Sequence, residues 1–503
     1  MSGQYMSGSV YSASLSAALN DFWQTLERRW THDAGLTLRG GTSQINAAPS
    51  PARWQVPVES RGHLTTCPIV AWAINDGTPA TRPSTCDGWS VPDTKYVECR
   101  AGDVFSQVGD WAWAKREQLA TAIPDLAGGP ELSSLEDARK SLLTADGKMR
   151  PDGSVDAYTL PGVVDKLSIR DDGNNNRAWM AGWTGLAANS LKGGFLSTVS
   201  PTLKNQSVLV RWLANCYSVR ATTIHATRNN ALHLIAQATS ELFEAAPPST
   251  DTPKEKLAVG NVGSAWDITK TVTEALGAEA PGSIGTALTL IDFALSLQEG
   301  SANEGLRYPQ LSDFFVHLDE AVRKLHVELT DAETSYRNAI TAIEHRIAGV
   351  DHTVLELYDF TKSSPDGDSS DPSASGRYAV DVVVVMEIAQ HCYDAAEIYS
   401  GLLSDVATAS YSDGQLVGRG VVPTAADTAL IALRSDVESF FQKTTARYLM
   451  AADRIKKAAE KYAESDAEQK ARLKAAIADW HETGEDRKRD KIDLDPRKEG
   501  VQN

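Results

Sequence analysis

Residues 424–462 read TAADTALIALRSDVESFFQKTTARYLMAADRIKKAAEKY. Within them Leu430, Leu433, Val437, Phe440, Thr444, Tyr448, Ala451, Ile455, Ala458 and Tyr462 recur at steps of three or four. An α-helix completes a turn every 3.6 residues, so this spacing lays a narrow seam along one face. Such a seam belongs to a helix packed lengthwise against others, as in bundles and coiled coils. Thr424 ahead of the run, with Asp427 three residues on, supplies an N-cap pair.

The same patterning extends outward. A helix is expected over 378–410, joined to the seam helix through a Gly-containing turn over 411–420. Before it, the stretch near 363–377 is rich in Ser, Asp, Pro and Gly and reads as a flexible loop. A long helix is expected over 311–360, carrying Phe314, Leu318, Val322, Leu325, Leu329, Tyr336, Ile340 and Ile343. Residues 259–300 are rich in Gly and Ala, and 179–246 reads as one or two helices closed by Pro247 and Pro248.

Toward the N-terminus, helices are expected over 12–30 and 105–123, the first with Leu15, Leu19, Phe22, Trp23 and Leu26 on one side. Periodicity fails between 35 and 103, where short strands fit around 69–74 and 95–100. A Gly- and Asp-rich stretch then runs to about 176. The expected fold is mainly α: an elongated antiparallel helical bundle with a loop-rich, irregular N-terminal region. Its organisation is an N-terminal region over 1–150 with a Trp- and Cys-rich segment, a bundle over 151–470 with a hairpin at 378–463, and a charged helical extension and tail over 471–503.

The bulk chemistry narrows the function classes. Hydrophobic residues at 42% and charged residues at 23% match an ordinary globular protein. A net charge of -17 opposes a general nucleic-acid binder, which needs a cationic face to displace phosphate counterions. It opposes adsorption to anionic lipid as well. No stretch approaches the roughly 20 apolar residues of a spanning helix, so stable membrane insertion is not expected. The opening residues lack a basic and then apolar signal of the Sec type. Cys67, Cys86 and Cys99 cluster in the loop-rich segment, where one disulfide among the three would form in an oxidising compartment.

Two short motifs stand out. Trp183 and Gly185, followed by Ala187 and Ala188, fit a helix-to-helix turn: glycine permits the tight backbone, and the indole can lie across both helix ends. Tyr462 and Asp466 at i and i+4 present a phenol and a carboxylate on one helix face. With these residues the chain resembles the WxG/ESAT-like superfamily and its PE and PPE relatives, substrates of type VII (ESX) secretion in actinobacteria. The nearest analogue is the single-chain substrate that fuses PE-like and PPE-like parts, although the two motifs stand here in the reverse order. The resemblance implies a secreted or envelope-associated helical protein that acts through protein–protein interaction or assembly. Trp183 and Gly185 would then lock the turn, and Tyr462 with Asp466 would meet a secretion ATPase or a chaperone. A homo-oligomer and a small helical partner both fit that role.

Catalytic patterns are not found. The chain has no G-x-x-x-x-G-K-[ST] loop, H-E-x-x-H, G-x-S-x-G or G-x-G-x-x-G after a strand. His225 and His233 near Cys216, and His317 and His326 around Asp319, read as core or surface histidines. Asp171 to Asn176 lacks the ligand spacing of a calcium loop and reads as a turn. No enzyme activity, metal or cofactor is expected. A secreted toxin or effector with a helical delivery module, and a phage or envelope structural protein, are the alternative classes.

Overall fold

The computed structural model describes residues 5–33, 37–38, 54–57, 96–99, 102–126, 129–150, 159–167, 190–244, 308, 310–349, 355–359, 382–417, 422–464 and 467–483. Over these residues the fold is mainly α. Helix α1 spans Gly8–Asp33, α2 Gly102–Ala122, α3 Leu132–Met149 and α4 Leu160–Leu167. A π-helical turn over Ser190–Leu196 leads into α5, Ser197–Glu241. Helix α6 spans Leu311–Gly349 and α7 Val382–Thr408, which tightens into a 3-10 turn over Ala409–Gln415. Helices α8, Ala425–Glu464, and α9, Ala467–Thr483, complete the described chain. Three short strands, β1 (Thr37–Leu38), β2 (Trp54–Pro57) and β3 (Tyr96–Cys99), pair antiparallel in that order. Trp54 lies opposite Cys99 in the β2–β3 register.

Each helix forms where its apolar residues align. In α1, Tyr11, Leu19, Phe22, Leu26 and Trp30 bury one stripe, and the Ser7 hydroxyl accepts the Val10 N–H at 3.2 Å as an N-cap. In α8, the expected seam is buried from Leu430 to Ile455, and its middle is buried on every side from Thr444 to Ala452. Thr424 and Asp427 form the expected cap: Thr424 N–H donates to the Asp427 carboxylate at 2.9 Å, and Asp427 N–H to the Thr424 hydroxyl at 3.1 Å.

Helices α7 and α8 make an antiparallel hairpin, with Tyr399 against both Phe441 and Tyr448 and Tyr393 donating to Asp453. Helices α5 and α8 are antiparallel too: Phe195 meets Tyr448, Gln206 donates to Thr444, and Arg220 reaches Asp427. Not every pair is antiparallel. Trp111 meets Phe315 while His326 reaches the Ala122 carbonyl, so α2 and α6 are parallel.

Helix α5 is the axis of the assembly. At 45 residues it is roughly 65 Å long, and α1, α3, α4, α6 and α8 all pack on it. From Val219 to Arg228 every residue is buried. A helix enclosed on all sides normally carries apolar residues throughout. Here Thr223 and Thr227 instead return their hydroxyls to the carbonyls one turn back, at 2.9 and 2.8 Å. The core is continuous from α1 to α9 and crosses residue 150 without a break.

Three expectations need correction. The Gly- and Asp-rich stretch after residue 123 contains α3 and α4. In α3, Leu132, Leu135, Ala138, Leu142, Ala145 and Met149 carry a full buried stripe. Asp146 is no breaker there, because it accepts from Ser207 at 2.6 Å and pairs with Arg150. Helix α6 ends at Gly349 instead of continuing to 360. Residues 355–359 leave the helix because their backbone is used elsewhere: Gln206 takes the Leu355 carbonyl at 2.8 Å and Arg447 takes that of Leu357. Finally, β1 and β2 lie where no strand was expected. The expected strand over 69–74 and the loop near 363–377 lie outside the described residues.

Candidate functional site

The resemblance points to the free end of the α7–α8 hairpin. Its turn end is anchored: Arg434 pairs with Asp413 at 2.8 Å, and the Gln415 side chain accepts the Glu131 N–H at 2.8 Å. The opposite end is built with small residues. Ala459 and Ala463 are buried on α8, which lets α9 approach both helices of the hairpin and bury Leu473. Tyr462 belongs to the last turn of α8, between exposed Lys461 and buried Ala463. Its side chain, and all of Trp183, Gly185 and Asp466, lie outside the described residues. So do Cys67 and Cys86, while Cys99 has its backbone in β3. The structure therefore leaves the pairing of these side chains outside its described residues. It does fix a direction: because α5 and α8 are antiparallel, Ser190–Leu196, the described residues that follow Trp183, lie on the C-terminal half of α8.

The polar groups that motif reading missed sit inside the bundle. Arg220 and Asp427 are both fully buried and meet at 2.7 Å. Arg220 also donates to the Val417 carbonyl at 3.2 Å, stands 3.7 Å from Glu333, and lies over the Tyr336 ring. Burial holds the Tyr336 hydroxyl well above its ordinary range. Two turns further along α5, Arg228 donates to the carbonyls of Leu126, Pro130 and Met6, at 3.1, 3.2 and 2.7 Å. Arg29 on α1 reaches the carbonyls of Leu242 and Tyr308. Each guanidinium thereby satisfies carbonyls that no helix or strand can serve.

These groups are taken up in structural contacts. The Cys216 thiol is pushed up to about 12 by burial and stays protonated at neutral pH, unlike a nucleophilic cysteine. His225 accepts from the Met6 backbone, and His326 reaches the Ala122 carbonyl at 2.6 Å. Among the described residues, no group of three or more His, Cys, Asp or Glu is placed to hold a metal ion. Among them, too, no helix is long and apolar enough to cross a membrane. One signal in the sequence could have located the interior network. Arginines at 220 and 228 interrupt a stretch of Ala, Thr, Val and Ile, which is the composition of an enclosed helix and not of a wet face. No family model, no curated protein and no solved structure matches the chain.

Proposed function

We propose that this chain is a non-enzymatic substrate of a type VII (ESX-like) secretion system that acts, once exported, by protein–protein interaction or assembly. The observation that carries the reading is the position of Tyr462 in the last turn of α8, with Asp466 four residues on. A helical hairpin that ends in a tyrosine and an acidic residue offers a receptor one aromatic anchor and one charge from a rigid support. The antiparallel register adds support, since Phe195, twelve residues after Trp183 in sequence, meets Tyr448 on the C-terminal half of α8. The implied partners are a secretion ATPase or chaperone during export, and a second copy or a small helical protein afterwards.

The test is export itself. Tyr462→Ala and Asp466→Ala variants are expressed in a host with the secretion ATPase and in one without it, and culture filtrate is compared with lysate. Truncating a central aromatic anchor commonly costs more than about 1.4 kcal/mol of binding, so filtrate levels should fall at least about tenfold while lysate levels persist. Equal export of wild type and variants, or export without the ATPase, would overturn the reading. The second outcome would favour the phage or envelope alternative.

A further inference from the structure

Residues 5–7 lead into α1 and lie on α5, and the Met6 backbone makes two hydrogen bonds to it. Met6 N–H donates to His225 Nδ1 at 3.2 Å, and the Met6 carbonyl accepts from Arg228 Nη1 at 2.7 Å. His225 and Arg228 are three apart on α5 and so share a face. The Tyr5 ring stands edge-on to the imidazole, with centroids 5.4 Å apart. The backbone donor settles the ring's state. A nitrogen that accepts must carry a lone pair, so Nδ1 is bare and the proton of the neutral ring sits on Nε2. The Asn229 atom 3.1 Å from Nε2 is the amide nitrogen, itself a donor, so an Nε2–H requires the amide turned over to present its oxygen.

We propose that His225 is a pH-operated latch for the N-terminal segment: the neutral ring holds the Met6 backbone, and protonation releases residues 5–7 and the first turn of α1 from α5. An imidazolium has no lone pair, so protonation at Nδ1 sets one N–H against another. It also places a second positive charge one turn from the Arg228 guanidinium. The grip of Arg228 on Leu126 and Pro130 does not involve His225, so the opening stays local. This inference is independent of the export reading.

On α5 the charged neighbour is Arg228; on the N-terminal segment the titratable group is Tyr5. Tyr11 of α1 stacks on Arg228, with Asp125 near its hydroxyl. Glu131, just before α3, lies within electrostatic reach of Arg228, and Arg139, paired with Glu136, lies within reach of Tyr5. Burial first, and Arg228 second, lower the His225 pKa below its ordinary 6.5. A lowered folded-state value means that the unfolded or released segment binds the proton more readily. The docking is therefore complete above about pH 6.5 and weakens as pH falls below it.

The experiment is hydrogen exchange on the full chain at about pH 7.5 and about pH 5.5, corrected for intrinsic rates, on wild type and His225→Gln. Glutamine offers an acceptor oxygen but does not titrate. Loss of one buried acceptor corresponds to about a tenfold drop in protection of the peptide covering Met6–Tyr11. That drop is expected in wild type at the lower pH and not in the variant, while α8 peptides stay unchanged in both. Equal loss in both proteins, or no loss in wild type, overturns the proposal. Should the variant fail to fold, the wild-type imidazole titration is followed by NMR. Its midpoint must coincide with that of the Met6 exchange, and a mismatch rejects the latch.

Discussion

Arg220 on α5 and Asp427 in the first turn of α8 form an ion pair at 2.7 Å with both side chains fully enclosed, across 207 residues of sequence. Asp427 Oδ2 simultaneously accepts from the Thr424 backbone and hydroxyl, at 2.9 and 2.8 Å. One carboxylate thus starts a helix and ties it to the central one.

Removing one partner leaves the other charged and buried. Arg220→Met and Asp427→Leu alone should each destabilise the fold by about 3 to 5 kcal/mol. The double variant should cost less than the two singles summed, because no orphan charge remains. Urea denaturation of the four proteins measures the coupling. Strict additivity would show that the pair contributes nothing as a pair.

Gly129 stands where a side chain has no room. A Cβ there would lie 3.0 Å from the Leu126 carbonyl oxygen and 3.3 Å from Arg228 Nη2. Gly129→Ala should cost on the order of 1 to 3 kcal/mol, seen as a lower melting temperature, by displacing backbone that Arg228 already holds. Gly147, with open space around it, is the control: Gly147→Ala in α3 should be neutral or stabilise by up to about 1 kcal/mol.

Burial raises Glu27 and Glu328 to about 7. A raised carboxyl is favoured in its protonated form when folded, so the stability it contributes is present at low pH. That contribution is lost as pH rises from about 4.5 through 7. Glu27→Gln should flatten that part of the stability–pH curve and stabilise at about pH 8 on the order of 1 kcal/mol, the effect being reduced by partial solvent exposure. An unchanged curve would reject the assignment.

The parts legible in sequence are those decided by local period. The α8 seam and its Thr424–Asp427 cap were readable because each residue's role follows from neighbours within a turn or two. Helix α3 was not, since Asp146 and Gly147 look like breakers until Ser207 and Arg150 are seen to satisfy the carboxylate. The enclosure of Arg220 and Arg228 was equally hidden, because their partners lie about a hundred residues or more away. Of the four motif residues, only the Tyr462 backbone falls among the described residues. The likeness to the type VII substrates thus rests where it began, on residue identity and spacing.

The enclosure of α5 has a consequence for synthesis. At 5 to 20 residues per second, the ribosome takes roughly 10 to 40 seconds to pass from Arg220 to Asp427. Throughout that interval the nascent chain holds its axial helix with one wall missing and a guanidinium awaiting its counter-ion. A chaperone that recognises unfinished helical protein would have that window, and the arrival of α8 would end it.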